Sequence, residues 1–262
     1  ATTTIQMPLL DFIEPGTSVV DVFNASMDAV APSQPLAGDH SIFEFYSSDG
    51  DSVWAENWTK TLDFSGVAWD HDTGGTLITD QYMVYARHFA RPVGWPVKFT
   101  DRHGTIVTRT VEAQEFIWFD NVEVRSDIMV VRLNAPVPDT VAVYRLVPGD
   151  LDPELLLGAK VLNTYRQRVV YQSETSRFQL FDHDSEVVTT RRNADVIHPG
   201  WDHQVSNGDS GHPSFLVLNG ELLLFSTHTF TGWGSKGPYL GGSGNQDKII
   251  RAMLNLAPPA AD

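Results

Sequence analysis

Short apolar runs, separated by glycine, aspartate, asparagine and proline, make up most of the chain. The runs are rich in valine, isoleucine, phenylalanine and tyrosine, which is typical of β-strands, and none approaches the roughly 20 apolar residues of a membrane helix. Short strands at regular spacing are typical of a sandwich or barrel, so the pattern predicts an all-β fold. The clearest strand or hairpin stretches begin at Gly75, Gly104, Asp127, Thr140, Ala159 and Ser176.

The clearest hairpin lies near the C-terminal end, in PSFLVLNGELLLFSTH (Pro213 to His228). Asn219 and Gly220 at its centre tolerate positive φ, and apolar runs flank them on both sides. This arrangement predicts two antiparallel strands joined by a two-residue turn.

Two stretches depart from the strand pattern. Residues 1–60 contain few long apolar runs, and we interpret them as an N-terminal extension, either an extended arm or an extra layer. Near the other end, a helix is predicted before the sequence PPAAD, because four apolar residues recur at helical spacing. These residues are Ile249, Ile250, Met253 and Leu254.

The remainder of the chain divides into two predicted halves. A Pro- and Asp-rich stretch near residues 148–153 is typical of a connection between units. We therefore expect one β-unit over residues 61–150 and a second over residues 151–262.

Composition and charge narrow the classes of function. The chain has 262 residues, of which 42% are hydrophobic and 19% charged, as in a globular protein with a large core. Its net charge is −15, which argues against nucleic acid as a partner because phosphate binding needs a basic surface. The absence of cysteine excludes disulfides and thiolate chemistry, and no cofactor and no membrane association are expected. The chain begins with alanine, which we interpret as a processed secreted or periplasmic form.

Three stretches carry candidate catalytic residues. Ser210 lies in the stretch SNGDSGHPSF. By itself this stretch is either a strained turn that holds Ser210 as a nucleophile or an ordinary glycine-rich loop. Serine hydrolysis also needs a base, an acid that orients the base, and N–H donors for the oxyanion. His88 closes a strand-like run whose end could aim its ring. Asp127 precedes an apolar run, where a buried carboxylate needs a partner such as an imidazole N–H.

The motifs GGTLITDQYMVYARH, SDIMVVRL and GDSGHP occur in this order. In them the chain resembles the chymotrypsin/trypsin-like serine proteases, over about residues 74–256. The resemblance implies two packed six-stranded antiparallel β-barrels with a C-terminal helix. It also implies that Ser210 is the nucleophile, His88 the general base and Asp127 the orienting acid, while the N–H groups of Gly208 and Ser210 form the oxyanion hole. The expected activity is hydrolysis of peptide bonds in a polypeptide substrate.

The resemblance extends less securely to the substrate pocket. Ser226 is expected to give Asp127 a second hydrogen bond, from a strand that lines the cleft. Thr227 and His228 would follow along the pocket wall, where the histidine could recognise an acidic side chain. Gln204 would lie near the pocket floor, and because it is no carboxylate it argues against a strict preference for Arg or Lys.

The chain departs from the family pattern at three positions. Arg87 precedes the histidine where a small residue is usual, and His212 replaces a glycine two residues after the nucleophile. No Ile-Val-Gly-Gly-like segment precedes the first barrel, so the usual salt bridge to a new N-terminus cannot be assigned to Asp209. Another cation or hydrogen-bond donor is therefore expected beside Asp209.

Other interpretations of the sequence stay open. WDHDTGG and FDHDS each place a histidine between two aspartates, but neighbouring residues rarely converge on one ion, so no metal site is predicted. Besides a protease, the chain could be an inactive protease-like binding protein, a β-rich surface domain with chance motifs, or an esterase that uses the same residues. Nothing in the sequence predicts the oligomeric state.

Overall fold

A computed structural model describes residues 16–36, 38–118, 125–149, 151–181, 185–191, 198–201, 203, 205–229 and 235–258. Within these residues the chain is mostly β, with two α-helices. The strands are β1 (Phe43–Phe45), β2 (Val53–Trp54), β3 (Gly75–Leu77), β4 (Tyr82–Ala86), β5 (Pro96–Thr100), β6 (Ile106–Trp118), β7 (Arg125–Leu133), β8 (Arg145–Leu146), β9 (Lys160–Tyr165), β10 (Val169–Phe181), β11 (Ser185–Arg191), β12 (Pro213–Leu218), β13 (Glu221–Thr227) and β14 (Ser235–Pro238). The helices are α1 (Val19–Val30) and α2 (Ser243–Leu256).

The first barrel is built from five antiparallel strands in the order β3-β4-β7-β6-β5. A short segment joins the two edges, because Val67 pairs with Thr76 of β3 and Ala68 pairs with Phe99 of β5. The segment acts as a sixth strand and removes the free edges of the sheet. Buried apolar side chains fill the interior, among them Leu77, Met83, Tyr85, Val97, Val111, Met129 and Val131.

The second barrel is a ring of six strands in the order β14-β11-β10-β9-β12-β13. A bridge between Ser226 of β13 and Tyr239, which follows β14, closes the ring. The short β8 pairs in parallel with β13. The expected chymotrypsin-like fold of two β-barrels with a C-terminal helix is thereby confirmed.

Strand β12 shows how the barrels share a core. Phe215 and Val217 pack in a cluster that also contains Val84 of the first barrel, whereas Leu216 and Leu218 face a second cluster with side chains of the second barrel. Every residue of β12 is buried. A strand covered on both faces needs an unbroken apolar run, which is why PSFLVL does not alternate with polar residues.

Two predictions of local structure are confirmed. Asn219 and Gly220 have φ values of 51° and 80°, and they join β12 to β13 as the predicted two-residue turn. Helix α2 forms as expected and buries Ile249 and Ala252, although Leu254, which was predicted to share the buried face, is 70% exposed.

The sequence did not predict a helix in the N-terminal region, where residues 19–30 form α1. Val19, Phe23 and Met27 are buried at a spacing of four residues, which places them on one face of the helix. The side-chain amide of Asn24 accepts a hydrogen bond from the N–H of Lys160 (2.7 Å), so α1 is fastened to β9. The division of the chain at residues 60 and 150 stays a prediction.

Candidate active site

The pairing of β4 with β7 brings His88 and Asp127 together. Ala86 lies opposite Ile128 in this antiparallel pair, so the residues just beyond Ala86 lie beside Asp127. His88 follows in a short 3₁₀ turn. Its Nδ1 lies 2.9 and 2.8 Å from the two carboxylate oxygens of Asp127, and its backbone N–H donates to Asp127 Oδ1 at 3.1 Å.

Ser210 completes a continuous line of hydrogen bonds. Its Oγ lies 2.9 Å from His88 Nε2. Because a carboxylate only accepts hydrogen bonds, Nδ1 must carry the proton that faces Asp127, which leaves Nε2 of the neutral ring to accept the hydroxyl proton of Ser210. The His88 side chain is 39% exposed and that of Asp127 is 16% exposed, so the predicted base is open to solvent while the predicted acid is largely covered.

The turn that carries Ser210 is wedged between the two barrels. Gly211 has a φ of +80°, and a Cβ at this position would lie 2.3 Å from the carbonyl oxygen of Gly74. The N–H of Gly74 donates to the carbonyl of Ser210 (3.2 Å), and the N–H of Gly211 donates to the carbonyl of His228 (2.9 Å). Only glycine combines this backbone conformation with such a close approach.

The backbone N–H groups of Gly208 and Ser210 are the predicted oxyanion donors. Gly208 has a φ of +100°. Within the described part of the chain, neither N–H donates to another protein group. Two adjacent backbone donors beside a nucleophile are suited to bind a developing oxyanion, and this role stays a prediction.

Asp209 is fully buried beside the nucleophile and accepts three hydrogen bonds. The N–H of Arg166 donates to Oδ1 (3.0 Å), while the N–H and the hydroxyl of Ser206 donate to Oδ2 (2.7 and 3.0 Å). These groups are the donors that the sequence left unidentified. A residue pattern could not reveal them, because the Arg166 donor is a backbone group that only the tertiary fold brings to this carboxylate.

His212, at the position where a glycine is usual, contacts Trp69 and Asp72. Its ring is buried, lies 5.5 Å from the ring of Trp69, and donates from Nε2 to the carbonyl of Asp72 (2.9 Å). Desolvation lowers the pKa of His212 to about 3, so the ring is neutral at physiological pH. His212 therefore joins the nucleophile turn to the loop before β3.

Arg87, the other unusual residue, turns away from the line of hydrogen bonds. Its guanidinium lies 5.1 Å from the ring centroid of Phe116 on β6. A guanidinium over an aromatic face is attracted by the ring quadrupole. This contact accommodates a large residue directly before His88.

The residues predicted for the pocket wall are buried in the structure. Ser226 does not bond Asp127, since its hydroxyl donates to the carbonyl of Thr227 (3.4 Å). Ser226, Thr227 and His228 are all buried, so they do not line an open pocket in the structure. The strand register explains this burial. The carbonyl of His228 accepts a hydrogen bond from the N–H of Gly211, so the backbone is paired as far as His228, and Thr229 is the first residue beyond this hydrogen bond. Gln204 lies outside the described residues, and its place at the pocket floor stays a prediction.

The ring of His228 is engaged on both sides. Nε2 donates to the carbonyl of Thr164 (3.0 Å), so Nδ1 accepts from the hydroxyl of Ser235. The ring also stacks on Tyr165 at 5.3 Å between centroids. Desolvation lowers the pKa of His228 to about 4, so a neutral ring packs here rather than a cation that would attract an acidic side chain.

In the part of the chain that the structure describes, no group of three or more metal-ligating side chains converges. Of the WDHDTGG residues, Asp70 pairs with the buried Arg91 (2.9 Å), and His71 Nδ1 accepts from the N–H of Thr73 (3.2 Å).

Neither described helix is long and apolar enough to cross a membrane.

A comparison with known protein families identifies the family of this chain. The family model described as Trypsin matches residues 49–241, well over half of the chain. The chain therefore belongs to the trypsin family and is a protein of serine-protease type.

One solved structure supports the fold. A mutant of human heparin binding protein matches with a TM-score of 0.53 and 15% identity, over 76% of this chain and 95% of that one. Human heparin binding protein itself matches with a TM-score of 0.48 and 17% identity, over 72% and 88% of the two chains. At these identities the likeness concerns the fold alone. None of the curated proteins is significantly similar to the chain in sequence.

Proposed function

We propose that the protein is a serine endopeptidase that cleaves peptide bonds in polypeptide substrates. The observation that carries the proposal is the line of hydrogen bonds from Asp127 through His88 to Ser210, with successive heavy-atom distances of 2.8 and 2.9 Å. A nucleophile within reach of a base, and a base oriented by a third group, is the arrangement that activates a serine hydroxyl.

The reaction follows from these positions. Ser210 Oγ attacks the carbonyl carbon of the scissile bond, and His88 Nε2 takes the hydroxyl proton. The N–H groups of Gly208 and Ser210 donate to the oxyanion. His88 then returns the proton to the leaving amine as the C–N bond breaks, and water repeats the sequence on the acyl-enzyme to free Ser210. Asp127 keeps the Nδ1 proton in place and stabilises the imidazolium.

An alternative is a binding protein that retains the protease fold. This alternative is considered because the fold is similar to that of heparin binding protein. However, a net charge of −15 does not favour a polyanionic ligand such as heparin. Among the described residues, no contact of Ser210 favours inactivity either, since Arg87 packs on Phe116 and His212 bonds Asp72. We also propose that the protein acts outside the cytoplasm, as a secreted or periplasmic enzyme without a cofactor.

Cleavage of an unstructured polypeptide tests the proposal. Casein and a peptide library are incubated with the protein, and the products are identified by mass spectrometry. Ser210→Ala should lower turnover by at least about 10⁴-fold. Ser176→Ala is the matched control, because Ser176 is also a half-buried serine with one hydroxyl hydrogen bond (to the carbonyl of Thr189, 3.0 Å), on β10.

Three outcomes separate the alternatives. Peptide cleavage that disappears only in Ser210→Ala supports the endopeptidase. Hydrolysis of activated esters without any cleavage of peptides would make the protein an esterase. Folded protein that cleaves neither class of substrate would contradict the proposal and leave the binding protein.

A further inference from the structure

The most unusual group near the nucleophile is the carboxylate of Asp209, which is fully buried. A buried carboxylate is costly unless hydrogen bonds or a cation compensate for the lost water. In the described part of the chain, no lysine, arginine or histidine forms an ion pair with it. Compensation therefore comes from neutral donors.

Ser206 supplies two of these donors and closes a small ring. Its N–H and its hydroxyl both donate to Asp209 Oδ2, and its carbonyl accepts from the N–H of Asp209 (3.1 Å). Gly208, which bears one of the two candidate oxyanion donors, lies inside this ring. The orientation of the Gly208 N–H thus depends on bonds between the residues on either side of it.

Arg166 contributes its backbone rather than its charge. Its N–H donates to Asp209 Oδ1, whereas its guanidinium reaches toward Asp72, with 4.0 Å between Nη1 and Oδ2. The guanidinium also lies against Gly208, where a Cβ would be 2.9 Å from Nη1. Arg166, which directly follows β9, therefore contacts the turn of residues 206–210 through both its backbone and its side chain.

We propose that Ser206 is a positioning residue, whose bonds to Asp209 hold the N–H groups of Gly208 and Ser210 in the orientation that binds an oxyanion, without the help of a freed N-terminal ammonium. The oxyanion-binding part of this inference rests on the proposed function. The part in which Ser206 holds the turn in place does not. The three donors already serve both oxygens of Asp209, and the carboxylate is fully buried.

The first experiment measures the rate at which a fluorophosphonate modifies Ser210, together with kcat and KM for a cleaved peptide. Ser206→Ala should lower the phosphonylation rate and kcat by about 10- to 100-fold and leave KM within about threefold, because it misplaces the donors without touching the substrate. Ser206→Thr, which keeps the hydroxyl, should restore most of the rate. Ser176→Ala should react like the parent.

A second variant tests the independence from the N-terminus. A short Gly-Ser extension is added before Ala1 of the full chain, which removes any free ammonium at that position. The extended protein should react with the fluorophosphonate at the rate of the parent. Loss of reactivity on extension would overturn the inference, as would a Ser206→Ala protein that behaves like Ser176→Ala.

If the parent protein does not react with the fluorophosphonate, that result counts against the proposed function alone. Measurements of unfolding by urea then test the inference. Ser206→Ala and Asp209→Asn are then compared, singly and together, by urea denaturation. The cost of Ser206→Ala should fall by at least about half in the Asp209→Asn background, because the partners interact, whereas additive costs would overturn the inference. If Asp209→Asn does not fold, amide hydrogen exchange at Gly208 and Ser210 replaces the cycle: Ser206→Ala should speed it at both positions, and unchanged exchange would overturn the inference.

Discussion

Protonation of the buried His212 should make the stability of the fold depend on pH. Desolvation disfavours the charged ring and lowers the pKa of His212 in the folded protein to about 3, from an ordinary histidine value of 6.5. Between these values the unfolded chain binds a proton that the folded chain does not. The contribution of His212 is therefore fully present above about pH 6.5 and is lost progressively as the pH falls toward 3.

The size of the loss at pH 5 follows from the unfolded pKa. At pH 5 the solution is 6.5 − 5 = 1.5 units below that value, and each unit corresponds to about 1.4 kcal/mol. The free energy of unfolding should thus fall by about 2 kcal/mol between pH 8 and pH 5 through His212 alone. This figure does not depend on the folded pKa, because the folded ring is neutral at pH 5 for any value well below 5.

Replacing His212 with glutamine isolates this contribution. The glutamine amide offers an N–H to the carbonyl of Asp72 but does not titrate, so the variant should lose about 2 kcal/mol less than its parent over the same pH interval. The assay is urea denaturation at pH 8 and pH 5, with both proteins carrying Ser210→Ala to prevent self-cleavage. His103→Gln, at an exposed histidine, is the matched control. A His212→Gln protein with the same pH dependence as the parent would refute the reasoning.

Three further substitutions test other parts of the structure. Phe23→Ala removes a fully buried ring from α1 and should cost about 3–5 kcal/mol in urea denaturation, whereas a cost below about 1 kcal/mol would mean that α1 is not part of the core. Gly211→Ala should cost at least about 2 kcal/mol and abolish reaction with a fluorophosphonate, because its Cβ meets the carbonyl of Gly74 and its φ is positive. Arg87→Ala should change kcat/KM by less than about threefold, since the guanidinium lies over Phe116, and a larger fall would connect Arg87 with the substrate.

The features that the sequence could predict are those that depend on local residue types. The turn at Asn219 and Gly220 needs two residues with positive φ, and the chain offers them between two apolar runs. The meeting of His88 with Asp127 was expected from motifs at the ends of strands, and the pairing of β4 with β7 brings it about. Helix α1 was missed although Val19, Phe23 and Met27 carried a four-residue spacing, because polar residues around them obscured it.

Register explains why the pocket residues could not be placed from the sequence. The pairing of β12 with β13 shifts between Ser214 and Phe215, so that Ser214 lies opposite Ser226 whereas Phe215 lies opposite Leu224. A bulge of this kind adds one unpaired residue and changes which side chains follow it along the strand. Nothing in the residue types of β13 marks the shift, so the sequence led to the expectation that Ser226 bonds Asp127, whereas the Ser226 hydroxyl donates to Thr227 in the structure.

Site-specific labelling of Ser210 tests the central claim most directly. The folded parent and His88→Ala are treated with a fluorophosphonate, digested, and mapped by mass spectrometry, with His103→Gln as the control histidine variant. We expect one modified residue in the parent and in His103→Gln, at Ser210, and a rate in His88→Ala lower by at least about 10³-fold, because the hydroxyl loses its base. Equal labelling of parent and His88→Ala, or no label on the folded parent, would contradict an activated Ser210.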